Sequence, residues 1–329
     1  MATPNFASGS VWVGDNLPIL RGMNDACVDL IYLDPPFNSG RTYEALAGSK
    51  ATGASFKDAW SMSDSDISEH RELADQSPLA YAVTNLAGQT HSEAMQSYLI
   101  FMAVRLIELR RILQSTGSIY LHCDPTASHY LKALMDSLFG RQHFRNEIAW
   151  CYTGPGKTKR WFPRKHDTIL FYAAGSAAGF NRDKIRIPYL RLNTQSSTSI
   201  MGAAMSESER AAYLEKGKVP EDWWADIGAG GHIPNPEHIG YPTQKPLALL
   251  ERIVKASSNP GDMILDPFCG CATTLVAADR HQRQWAGIDI SPQAVKLANE
   301  RITADRGSLP WGGAIARTEP PVRGQKGLI

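Results

Sequence analysis

Asp34-Pro35-Pro36-Phe37 stands directly after the apolar run Val28-Asp29-Leu30-Ile31-Tyr32-Leu33. Two prolines after a strand end its ladder, because neither donates a backbone hydrogen and each fixes φ near about −65°. A carboxylate, a proline carbonyl and an aromatic ring are thereby held at one strand end. Such a set suits a planar amine. The Asp34 carboxylate and the Pro35 carbonyl accept its two hydrogens while Phe37 stacks on the attached ring, which localises the nitrogen lone pair for attack on an electrophile. The tetrapeptide also reads as a plain β-turn after an edge strand.

A second group lies far downstream. Met263-Ile264-Leu265-Asp266-Pro267-Phe268-Cys269-Gly270-Cys271-Ala272-Thr273-Thr274 reads as a short buried strand, a small-residue turn and the start of a helix. Gln284-Trp285-Ala286-Gly287-Ile288-Asp289-Ile290 gives another strand ending in an acid, and Ser291-Pro292 follow as N-cap and first helical residue. An acid at that strand end suits two ribose hydroxyls. Strand, turn, helix, strand and acid in this order form a nucleotide-type arrangement.

Between the two groups stands Tyr241-Pro242-Thr243-Gln244-Lys245-Pro246. The order of the three motifs resembles the β-class, circularly permuted DNA amino-methyltransferases, over about Trp12 to Thr303. The resemblance implies S-adenosylmethionine as methyl donor and an exocyclic amino nitrogen of a base in double-stranded DNA as acceptor, the base being rotated out of the duplex. It makes Asp34, Pro35, Pro36 and Phe37 catalytic. It places Asp266, Phe268, Gly270 and Thr273 around the methionine part of the cofactor, Asp289 on the ribose, Thr243 and Lys245 near the carboxylate, and Asp15 near the adenine moiety. An Asp at the first motif position goes more often with adenine-N6 than with cytosine-N4, which is the alternative. A non-catalytic DNA-binding subunit of the same fold is the other alternative. A second copy of the chain and a cognate restriction endonuclease are left open as partners. The family loop is usually Gly-x-Gly, whereas this chain has Gly270-Cys271-Ala272, and the added methyl group bears on cofactor affinity.

At 329 residues and 43% hydrophobic, the chain fits one α/β domain with a substantial insertion. It has no run of eighteen apolar residues, and its N-terminus lacks a basic-then-apolar signal. A cytoplasmic protein without membrane association is expected. Its five cysteines form no C-x-x-C pair, which argues for reduced thiols and against a metal site. Net charge is only +1, but residues 141–191 hold eleven Lys and Arg against three acids, a local +8. Within it Lys157, Lys159, Arg160, Arg164 and Lys165 are interleaved with Trp161 and Phe162, a combination suited to DNA phosphates and bases. A solvated face is the plainer alternative.

The elements that must position these groups alternate. The first strand is expected at Leu30–Leu33, followed by a long polar loop over 38–91. A helix over 92–114, a strand at 118–122, a helix over 127–139 and an antiparallel hairpin of 147–152 with 168–172 come next. Regularity returns with a helix at 247–257, then strand, helix, strand and a helix from 292 to about 304. This predicts a doubly wound α/β fold, mostly parallel with an antiparallel edge hairpin, which the resemblance makes a permuted Rossmann-like methyltransferase fold with a target-recognition insertion. The expected divisions are a catalytic half at 1–172, the insertion at 173–239, a cofactor-binding half at 240–305 and a flexible tail at 306–329.

Overall fold

The computed structural model describes residues 3–37, 41–45, 48–49, 51–53, 55–58, 67–154, 156, 158–189, 206–229, 237–306 and 315–325. In chain order its strands are β1 (Ser10–Val13), β2 (Val28–Leu33), β3 (Arg41–Glu44), β4 (Ser55–Asp58), β5 (Leu113–Cys123), β6 (Phe144–Cys151), β7 (His166–Ala173), β8 (Trp223–Trp224), β9 (Met263–Asp266), β10 (Gln284–Asp289) and β11 (Ile315–Arg317). Its α-helices are α1 (Asn16–Gly22), α2 (Ile67–Gln76), α3 (Pro78–Thr90), α4 (Glu93–Ile112), α5 (Ser128–Phe139), α6 (Glu207–Lys216), α7 (Leu247–Ser257), α8 (Thr273–Arg280) and α9 (Gln293–Arg306).

Nine strands form one sheet in the order β11-β1-β10-β9-β2-β5-β7-β6-β8. From β11 to β5 every pairing is parallel, β7 runs antiparallel to both β5 and β6, and β8 lies parallel to β6. This is the mostly parallel, permuted α/β sheet with an antiparallel hairpin that the motif order implies. At its centre β2 pairs with β9, Leu30 opposite Ile264 and Ile31 opposite Leu265. The early and late halves of the chain therefore meet at this pairing.

Alternation along β2 divides the core. Ile31 and Leu33 pack with Leu20 of α1, Leu99 and Leu106 of α4 and Leu134 of α5 on one face. Leu30 and Tyr32 point to the other, against Leu250 and Ile253 of α7, Leu275 of α8 and Ile302 of α9. Strands buried on both faces need helices on both sides, which is why such a sheet is doubly wound.

Three expectations change. The sheet has a strand before Leu30: β1 is four residues long, too short to show periodicity, yet it pairs with β10 from Ser10–Ala286 to Val13–Asp289. The polar stretch 38–91 is not a loop throughout, since among its described residues are the β3–β4 hairpin, α2 and α3. The N-cap Ser77 accepts from Ala80 N, and α3 buries only the small side chains Ala80, Thr84 and Ala87, too little apolar bulk for a hydrophobic signal. Residues 315–325, expected in a flexible tail, supply β11 on the edge of β1, and Trp12 Nε1 donates to Glu319 O at 3.1 Å. No helix among the described residues is long and apolar enough to cross a membrane.

Candidate functional site

β2 and β9 run parallel, so their C-terminal ends open on one side of the sheet, where open α/β sheets receive ligands. A cavity of about 990 Å³ lies there, and Asp15, Asp34, Pro35, Pro36, Phe37, Thr243, Lys245, Asp266, Phe268, Gly270, Thr273 and Asp289 all line it. Every residue singled out in the three motifs thus faces one space.

On the β2 side Asp34 leaves the sheet with its Oδ2 at 2.9 Å from Lys245 Nζ. Its Oδ1 is buried and has no hydrogen-bond partner among the described residues. The Lys245 ammonium lies 5.0 Å over the Phe37 ring. Phe37 stacks in turn on His122, with centroids 5.9 Å apart and planes at 26°. His122 is fully buried behind the cavity wall. Its Nδ1 is 2.8 Å from the Tyr32 hydroxyl and its Nε2 3.1 Å from Asp167 Oδ2, while Tyr152 donates to Asp167 Oδ1 at 3.0 Å. Burial alone would raise the Asp167 carboxyl, but the bonds from His122 and Tyr152 and the nearby Lys245 charge outweigh it and hold it below its ordinary value. A carboxylate only accepts, so Nε2 carries the hydrogen, and in the neutral ring Tyr32 donates to Nδ1. Phe37 therefore rests on a ring whose orientation is set from both ends.

On the β9 side the loop wraps two carboxylates. Asp266 is fully buried and accepts from Phe268 N at 3.0 Å and Thr274 Oγ1 at 2.5 Å. Desolvation pushes its carboxyl up to about 7, with the charges of Asp34 and Asp289 adding to the rise and its two hydrogen bonds opposing it. Asp289, at the end of β10, accepts from Gly270 N at 2.7 Å and Ser291 N at 2.8 Å. Burial raises its pKa against those bonds. Gly270 has φ +48°, and a Cβ there would come within 3.3 Å of the Tyr241 ring. Ala272 takes the left-handed φ of +65° as N-cap of α8. That conformation costs a non-glycine residue roughly 1–2 kcal/mol, which explains glycine at this place in the family pattern. Its side chain packs in the core among Leu275 and Val276, away from the cavity.

A third wall comes from α1 and α4. Asp15 caps α1, accepting from Leu17 N at 3.0 Å, and also pairs with Arg105 Nη2 at 2.8 Å. Arg105 reaches Asn16 Oδ1 at 2.7 Å and Glu69 Oε1 at 3.3 Å, with its guanidinium 3.4 Å over the Phe101 ring. Asn16 Nδ2 then donates to Pro267 O at 2.9 Å, tying this wall to the loop after β9. Arg105, Asn16, Tyr32 and Tyr241 line the cavity and were not singled out from sequence. One signal was available for Arg105: a cation among the apolar positions Met102, Ala103, Leu106 and Leu109 of α4 has to find partners if it is buried.

The basic stretch lies elsewhere. Lys159, Arg160 and Arg164 are exposed and Lys165 half-buried on the loop between β6 and β7, and none of them lines the cavity. Lys157 lies outside the described residues. Among the described residues no group of three metal-ligating side chains occurs.

The profile of the N6_N4_Mtase family, described as DNA methylase, matches residues 28–300. Type II methyltransferase M.HpaI of Haemophilus parainfluenzae is 27% identical over 287 residues, covering 87% of this chain and 71% of that protein. DNA adenine methyltransferase YhdJ of Escherichia coli K12 is 26% identical over 291 residues, 88% of this chain and 81% of its own length. Among solved structures, the cytosine-N4-specific PvuII DNA methyltransferase superposes with a TM-score of 0.54 at 15% identity, over 91% of this chain and 88% of that one. TTHA0409 of Thermus thermophilus, complexed with S-adenosyl-L-methionine, gives 0.51 at 18% identity, over 96% of this chain and 99% of that one. At these identities the two structures attest the fold.

Proposed function

Because the chain belongs to the N6_N4_Mtase family of DNA methylases, an S-adenosylmethionine-dependent group, we propose that it methylates the N6 amino group of adenine in double-stranded DNA after rotating that base into the cavity. The observation that carries this is Asp34 Oδ1, a buried acceptor without a partner among the described residues, beside an aromatic ring already braced from behind. An amino group bonded to Asp34 and Pro35 O while its ring lies on Phe37 satisfies that acceptor. A base inside a duplex presents neither its amine nor its face to such a wall, so it has to leave the stack.

The residues of the other wall fit S-adenosylmethionine. Asp266 and Asp289 offer carboxylates to its ammonium and ribose hydroxyls, and the loop at Gly270 is left-handed and without a side chain where it faces the cavity. When bound, the cofactor supplies an electrophilic methyl group on a sulfonium. The task of the protein is then mainly to align the amine and exclude water, and positioning of this kind makes a large contribution to rate. Asp34 orients the nitrogen and stabilises the positive charge that develops on it, and the proton leaves after transfer.

Adenine is supported by the designation of YhdJ and by Asp at the head of the catalytic motif. Cytosine-N4 is the second reading, since the same acceptors serve either amine and the PvuII enzyme shares the fold. A cognate restriction endonuclease is proposed as partner on the family resemblance alone. DNA from a host expressing the chain, digested to nucleosides and weighed by mass spectrometry, decides between the bases. N6-methyladenine is expected, N4-methylcytosine would establish the second reading, and the absence of both would overturn the proposal.

Lys159, Arg160, Arg164 and Lys165 are assigned to DNA phosphates. Lys159→Glu/Arg160→Glu should flatten the salt dependence of binding by about 0.9 in log–log slope for each phosphate no longer neutralised, without changing the preferred target. Equal slopes would remove the stretch from the interface.

A further inference from the structure

Phe162 is 94% exposed and Trp161 67% exposed, side by side on the loop that joins β6 to β7. Large aromatic side chains held this far into water at a loop tip call for a partner, because their apolar area is the most costly to leave wet. The loop is built to present them. Tyr152 N donates to Lys165 O at 3.0 Å at its base. Gly156 lies so close to Pro163 that a Cβ there would meet Pro163 Cγ at 2.4 Å, pinching the two arms together. Thr158 Oγ1 donates to Trp161 O at 2.7 Å and closes the tip. Lys159, Arg160 and Arg164 are exposed on either side of the aromatic pair, a flank suited to phosphates and unsuited to a purely apolar groove.

The base of this loop is also wired to the cavity. Tyr152 binds Asp167, Asp167 binds His122, and His122 carries Phe37 on its face. The aromatic tip therefore departs from the structure that braces the candidate base platform. A base that leaves a duplex leaves an unstacked gap behind it, and proteins that distort DNA fill such gaps with apolar wedges.

We propose that Phe162, with Trp161 beside it, enters duplex DNA at the position vacated by the target base, while Lys159, Arg160 and Arg164 hold the phosphates on both sides. The wedge rests on the methyltransferase reading. Its role is to keep the base out of the stack, so it acts on extrusion and leaves the transfer step alone. Phe162 makes no core contact at 94% exposure, so its replacement leaves the fold intact.

The test uses two synthetic duplexes carrying the methylated sequence found in host DNA, one fully paired and one with the target base mispaired, which lowers the cost of extrusion. Under single-turnover conditions Phe162→Ala should slow methylation of the paired duplex by about tenfold or more and that of the mispaired duplex by less than about threefold. Phe162→Trp should keep the wild-type rate on both. With 2-aminopurine at the target position, the fluorescence rise on binding should be lost in Phe162→Ala and kept in Phe162→Trp. Equal slowing on both duplexes, or none on the paired one, overturns the wedge while leaving the enzyme's function standing. A wild type that methylates neither duplex overturns the proposed function itself, and the wedge with it.

Discussion

The ammonium of Lys245 sits 2.9 Å from Asp34 Oδ2 and 5.0 Å above the ring of Phe37. A cation thus holds one oxygen of the carboxylate and lies over the ring that the proposed base would use, while Asp34 Oδ1 has no partner among the described residues. Family resemblance gives Lys245 to the cofactor carboxylate; here its ammonium pairs with Asp34.

Removing that cation removes a competitor and strands an anion. Lys245→Met should tighten cofactor-free binding of a mispaired-target duplex by about threefold to tenfold, on the order of 1 kcal/mol, measured by fluorescence anisotropy. The same variant should melt at a lower temperature, because the part-buried Asp34 loses its counter-charge. Weaker binding would mean that the pair assists base entry.

Asp34→Ala should lower the rate of methyl transfer more than about a hundredfold, since it removes a group that acts mainly in the transition state. Cofactor affinity by calorimetry should change by less than about threefold. A variant retaining a tenth of the wild-type rate, a loss of only about 1.4 kcal/mol, would sink the assigned role.

Asp289→Ala should weaken S-adenosylmethionine binding by at least about tenfold, because charge-assisted hydrogen bonds to a carboxylate contribute about 1.5–3 kcal/mol each. DNA affinity in the absence of cofactor should hold. An unchanged cofactor dissociation constant would take Asp289 out of the site.

Asp266 makes stability and cofactor binding respond oppositely to pH. Its folded pKa of about 7 stands above the ordinary 3.8, so its contribution to stability is full below about 3.8 and is lost as pH rises through about 7. Asp266→Asn lacks that titration, so its melting temperature relative to wild type should climb between pH 5 and pH 8. A cationic cofactor favours the ionised carboxylate, so wild-type affinity should rise with pH up to about 7 and then level, and the variant should show neither the rise nor the plateau. Parallel melting curves for the two proteins across that range would refute the assignment.

Asp34, Asp266 and Asp289 were legible because each stands at the end of a short apolar strand, with Pro directly after the first two and Ser291-Pro292 one residue beyond the third, so spacing and punctuation name the position without a structure. The partnerships of Arg105, Tyr32 and His122 were not. Each residue is a polar group within a buried run of its element, and its partners lie far off along the chain: 89 residues from Arg105 to Asn16, 90 from Tyr32 to His122 and 45 from His122 to Asp167. Periodicity sees a face of a helix or strand and is blind to what stands opposite it. The positive φ of Ala272 was hidden for a related reason, since alanine carries no mark of the left-handed conformation that glycine would have advertised. The four-residue β1 escaped because it is too short to show periodicity, and α3 because the side chains it buries are small.

The pairing of β2 with β9 has one more consequence. Asp29 Oδ2 accepts from Met263 N at 2.8 Å beside two ladder rungs, so stretches separated by 234 residues are zipped into a single seam. The wall that carries Asp34 and the wall that carries Asp266 hang from the two sides of that seam. Reach is therefore counted in rungs: a slip of one residue would displace one wall by about 3.3 Å and turn its side chains to the opposite face. The span across which a methyl group has to travel is set while the protein folds, before any ligand arrives.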